Sequence, residues 1–93
     1  MTGNCYWYKT CPTCGEGRLF IVEDLSRQRL YLHCEEDELG FEDPPDLKSP
    51  DKVFLTLDFD YPCRFADWET ISAQGWEEFA THSVDLAQAP KLC

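Results

Sequence analysis

Ninety-three residues and 10.8 kDa provide one modest hydrophobic core and exclude two independently folded units. Eight Lys and Arg stand against eighteen Asp and Glu, and the formal charge of -10 opposes binding to a phosphate backbone. A composition of 43% hydrophobic and 14% aromatic residues excludes a solvated, disordered tail.

In chain order, the first residues, Met1 to Thr10, show no basic segment followed by an apolar run. No later stretch approaches the roughly 18 apolar residues of a membrane span, which predicts a cytoplasmic protein with no membrane contact. Arg18 to Val22 and Arg29 to His33 are short runs of aliphatic, aromatic and β-branched residues around a polar stretch, and they predict a hairpin. Residues 44–51, rich in Pro, Asp and Ser, form a connector within a single domain spanning 1–93. After it, residues 53–61 alternate, with Val53, Leu55, Leu57, Phe59 and Tyr61 on one face and Thr56, Asp58 and Asp60 on the other. This predicts a strand ended by Pro62. Asp67 as N-cap, the spacing of Trp68 and Ile71, and Gly75 as stop predict a helix over 68–74. A second short helix or turn is expected over 76–81.

The strongest chemical signal is Cys11-Pro12-Thr13-Cys14-Gly15, followed after 19 residues by Cys34-Glu35-Glu36-Asp37. Two-residue spacing lets both thiolates of a tight turn face one ion, and the separation falls within the roughly 15 to 20 residues expected between the halves of a tetrahedral site. In a reducing compartment such pairs are metal ligands or redox groups more often than disulfides. Redox motifs precede a helix in a βαβ unit, whereas Gly15-Glu16-Gly17 leads into a strand, so the metal reading leads. Over residues 9–43 the chain resembles the zinc ribbon family, whose halves are a Cys-Pro-x-Cys-Gly knuckle and a second Cys-x-x-Cys knuckle after a β-hairpin. The resemblance implies a structural zinc held by Cys11, Cys14 and Cys34. Asp37 stands where the family carries its fourth cysteine and is ranked first for that place through a carboxylate oxygen, ahead of His33 and then Cys5 or Cys63. Cys93 reads as an idle tail thiol. Together with the later strand and helices this predicts an α+β fold: a small zinc-ribbon-like antiparallel β-sheet with one or two short C-terminal helices over 52–93.

Three thiolates make zinc a poor Lewis acid. His33 and His82, the only histidines, lack a nucleophile at a recognised spacing, so no enzyme is expected. Seven acids without a base lie between Glu35 and Asp46. Glu35, Glu36, Glu38, Phe41, Glu42 and Asp43 are the candidate contacts to a basic protein partner, with Trp7 a further candidate aromatic anchor. The functional expectation is an acidic protein-binding module of the immunity or inhibitor type, neutralising a partner such as a nuclease toxin. The alternatives are a zinc-ribbon accessory subunit of a nucleic-acid machine, touching RNA through Arg18, Arg27 and Arg29, and a small metal-dependent enzyme.

Overall fold

The computed structural model describes residues 3–36, 38–42, 53–55 and 62–89. Within these, seven strands form one antiparallel sheet: β1 (Asn4–Thr10), β2 (Arg18–Asp24), β3 (Arg29–Cys34), β4 (Leu39–Phe41), β5 (Val53–Leu55), β6 (Cys63–Phe65) and β7 (His82–Asp85). The order across the sheet is β5-β4-β3-β2-β1-β7, and β6 pairs with β2 beyond the stretch of β2 that β1 pairs. One helix, α1 (Trp68–Ala73), and two 3-10 turns, Glu77–Phe79 and Leu86–Gln88, complete the described chain. Among the described residues the fold is mostly antiparallel sheet with a few short helical turns in the second half, which fits the α+β expectation in part.

The β2–β3 hairpin forms as expected, with Phe20 opposite His33 and Asp24 opposite Arg29. Its turn is organised by Asp24, whose buried carboxylate accepts hydrogen bonds from the backbone N–H and hydroxyl of Ser26 and from the N–H of Arg27. These are the local bonds by which an Asp closes a turn. Both faces of β2 are buried: Leu19 and Ile21 join one cluster, Phe20 and Val22 the other. The first cluster continues through Leu30, Leu32, Phe41, Ala66 and Ile71. The second continues through Cys5 and Tyr31. A central strand in two cores has no polar face, hence its unbroken apolar run in sequence.

α1 closes as its sequence directs. The Asp67 carboxylate accepts the N–H of Thr70 at 2.8 Å, and this bond holds the Asp67 carboxyl below its ordinary range. At the other end Gly75 has φ +73°, with Gly75 N–H donating to Ser72 and Trp76 N–H to Ile71. That pair of bonds is a Schellman termination, which requires a left-handed residue and so selects glycine. The short helix or turn expected over 76–81 is realised as the 3-10 turn Glu77–Phe79. Of the strand expected over 53–61, residues 53–55 pair with β4, and 56–61 lie outside the described residues together with the 44–51 connector.

Candidate metal centre

The knuckle sits between β1 and β2. Cys11 N–H donates to the carbonyl of Gly17 at 2.7 Å, and Gly15 N–H returns to the carbonyl of Cys11 at 2.9 Å. Gly15 takes φ +73°, the left-handed conformation that turns the chain back directly after the second thiol. Cys34, the last residue of β3, reaches the same place through the β2–β3 register, which sets it opposite Leu19. The sulfurs of Cys11, Cys14 and Cys34 consequently all lie within 4.8 Å of one another. Cys14 Sγ and Cys34 Sγ are 3.6 Å apart. Two thiolates on one tetrahedral zinc, with bonds of about 2.3 Å, sit about 3.8 Å apart, so the spacing fits an ion of that kind.

The surroundings of Cys14 favour its thiolate form. The Cys14 thiol is drawn below its ordinary value first by the backbone N–H of Glu16, then by that of Gly17, whose nitrogen is 3.3 Å from the sulfur. Burial opposes this, and hydrogen bonds with Cys34 and Cys11 reinforce it. Gly17 matters for a second reason: a Cβ there would lie 2.6 Å from Cys34 Sγ and 3.0 Å from Glu36 Cγ. Replacing Gly17→Ala is therefore expected to displace Cys34 and weaken metal binding at least about tenfold, one decade being about 1.4 kcal/mol. A cobalt titration followed by thiolate-to-metal absorption checks this, and unchanged affinity would remove Gly17 from the site.

Glu35 acts on the same end of the sheet. Its carboxylate takes a paired contact from the Arg18 guanidinium, 2.6 Å from Nε and 2.8 Å from Nη2, and also accepts the Arg18 backbone N–H at 2.9 Å. Those bonds, led by the guanidinium, hold the Glu35 carboxyl below the usual range. They fasten the residue after Cys34 to the start of β2, supporting the ligand from outside.

The proposed fourth ligands separate. Asp37 lies outside the described residues. His33 precedes Cys34 on β3, and strand alternation sends it to the opposite face. Cys5 packs with Phe20, Val22 and Tyr31 on that opposite face; burial, then the Asp85 charge, push its thiol up, with Arg18 opposing. Cys63 is disulfide-bonded, unlike Cys5, Cys11, Cys14 and Cys34, and so has no thiolate to give. Cys93 lies outside the described residues.

The expected partner surface needs correction. Phe41 is 1% exposed, in the core beside Leu32, because β4 pairs with β3 and turns its ring inward. Trp7 stacks on His82, ring centroids 4.0 Å apart, and packs against the second core cluster. Glu35 is committed to Arg18, and Glu42 pairs with Arg29 at 2.9 Å. Glu36 is exposed, Glu38 is half-buried with φ 58°, and Asp43 lies outside the described residues. The arginine strip is equally engaged. Arg27 and Arg29 face Asp24 at 3.0 and 4.0 Å, and Arg64 pairs with Glu23 at 2.8 Å.

What sequence reasoning missed is the pairing of each arginine with one of the chain's own acids. Arg18 and Glu35 are 17 residues apart, and only the hairpin register brings them together. No helix among the described residues is long and apolar enough to cross a membrane. Comparison with family models, curated proteins and solved structures found no match to this chain.

Proposed function

We propose that the chain is a non-enzymatic, acidic protein-binding module whose sheet is fastened at one end by a structural zinc on Cys11, Cys14 and Cys34, as the resemblance of its first knuckle to zinc ribbons implies. Its partner is a basic protein, and the mode of action is that of an immunity or inhibitor protein occluding a target such as a nuclease toxin. The observation that carries the partner's sign is the charge pairing: all four arginines, Arg18, Arg27, Arg29 and Arg64, face acids of the same chain. Glu16, Glu36, Glu69, Glu77 and Glu78 remain exposed. A field of that sign accelerates encounter with cations and repels phosphates. The same pairing argues against the nucleic-acid reading, since an arginine already held by a carboxylate must break that pair to meet a phosphate.

The test is native mass spectrometry of the protein taken from its own cells without chelator. The expected result is one zinc per chain together with a protein of opposite net charge at equal stoichiometry, whose association slows as salt is raised. A metal-less monomer with no such complex would overturn both parts of the reading.

A further inference from the structure

A file of rings runs across one side of the sheet. Tyr6 and Tyr8 occupy successive same-face positions of β1, both packed at the margin of the first core cluster. Trp68 lies against Tyr6 with centroids 5.6 Å apart, and Phe79 meets Tyr8 edge-on at 5.2 Å. Trp76 extends the file by a further edge contact with Phe79 at 5.7 Å. The hydroxyl of Thr81 bonds the carbonyl of Tyr8, fixing the 76–81 segment to β1. Burial does not consume this file: Trp68 is 47% exposed, and Tyr6, Tyr8, Trp76 and Phe79 are only partly buried.

The rim of the file is acidic. Glu69 follows Trp68, Glu77 and Glu78 separate Trp76 from Phe79, and all three are exposed. Among the described residues none of the three is held in an ion pair of the kind that occupies Glu23, Glu35 and Glu42. Arg64, three residues before the Asp67 cap of α1, is held by Glu23. A cation already rests on the file: Lys9 Nζ stands 4.7 Å from the centroid of the Tyr8 ring. Ring faces attract cations, guanidinium more than ammonium because it is planar and less strongly hydrated. Carboxylates beside the rings add a hydrogen-bonding counterion for the same group.

We infer that this aromatic file with its carboxylate rim is the docking surface for an arginine-rich segment of a basic protein. The inference rests on the proposed reading of a basic partner and moves the contact from the 35–43 run to α1, the turn Glu77–Phe79 and β1. Arginines of the segment stack on Trp68 and Trp76 while their guanidinium edges reach Glu69, Glu77 and Glu78. Displacement of Lys9 from Tyr8 opens a further ring to the incoming chain.

A nona-arginine peptide is the probe, titrated into the full chain at low salt and followed by calorimetry and by the indole N–H signals of the three tryptophans. The expected result is movement of the Trp68 and Trp76 signals with Trp7, on the other face, unmoved. Nona-lysine should bind more weakly. Trp68→Ala should weaken nona-arginine at least about tenfold, the effect of losing an exposed aromatic anchor. Since Trp68 sits at the edge of the fold, the triple variant Glu69→Gln, Glu77→Gln, Glu78→Gln provides a second reading and should lower both affinity and salt dependence. Glu36→Gln should change neither. Loss of binding in Glu36→Gln with the indole signals unmoved would overturn the surface and leave the basic-partner reading standing. Absence of any saturable binding would overturn both.

Discussion

Stripping the metal from the zinc-loaded protein with a strong chelator is expected to lower its thermal midpoint by about 15 to 30 °C. A ligand held at a thousand times its dissociation constant stabilises the native state by about 4 kcal/mol, and in a domain of this size each kcal/mol moves the midpoint by about 4 to 8 °C. The reason lies in where the ion would sit. Cys11 and Cys14 are in the connection between β1 and β2, and Cys34 ends β3, so one ion ties three adjacent strands. Cys34→Ser is expected to reproduce the chelator's effect. Cys5→Ser, in the other core cluster, should leave the response to chelator intact. Because the ligands bind as thiolates, acidification should release the metal. A melting curve indifferent both to chelator and to Cys34→Ser would exclude a structural metal.

Asp24→Asn is expected to cost about 2 kcal/mol at neutral pH, in the range for hydrogen bonds made to a charged group. Its side chain is 1% exposed. Burial alone would push the carboxyl up, but the hydroxyl and N–H of Ser26 and the N–H and guanidinium of Arg27 outweigh it and leave the carboxyl below its ordinary value. A depressed native pKa means that the unfolded chain takes up a proton first as pH falls. The contribution of Asp24 is therefore complete above the unfolded carboxyl value of about 3.9 and disappears as pH drops through the native one. The difference in urea-unfolding free energy between the native sequence and Asp24→Asn should shrink over that interval, and any metal bound by both proteins cancels in that difference. Arg27→Ala removes a half-exposed partner, 48% accessible, and should cost under about 1 kcal/mol. Equal effects of the two substitutions would show that the turn, and not the buried carboxylate, carries the stability.

The parts of the fold that were legible in the sequence are those whose signal is local. The β2–β3 hairpin reads from two apolar runs around a polar turn, and α1 reads from Asp67 and Gly75, each fixing a terminus through its own backbone neighbours. β1 escaped because Cys5 and Trp7 pack on one face while Tyr6 and Tyr8 pack on the other, erasing the two-residue contrast by which a strand is recognised. β4 and β6 have three residues each, and β7, His-Ser-Val-Asp, is nearly all polar. β6 and β7 exist because their partners β2 and β1 arrive from far along the chain, β4 because β3 and β5 flank it, and the composition of none of the three calls for a strand. In the candidate site, the spacing of Cys11, Cys14 and Cys34 was sufficient to bring three sulfurs together, since knuckle and hairpin are both local. The surface was less legible. Whether Phe41 faces water or core depends on the β3–β4 register, and whether Glu35 is available depends on where Arg18 lands.

One edge of β2 is shared by two strands. β1 pairs with its start, setting Thr10 opposite Arg18 and Trp7 opposite Phe20, and β6 takes the remainder from Val22 to Asp24. Were β1 to run further along β2, its earlier residues would enter the space opposite Val22, where Phe65 lies. β6 thus acts as an end stop, and the bulge between Trp7 and Thr10 absorbs the mismatch ahead of it. Strand registers slip most readily where nothing blocks the next notch, and here the next notch is occupied. The placement of Cys11, which follows β1 directly, is accordingly policed by a strand that contributes no sulfur to the triad.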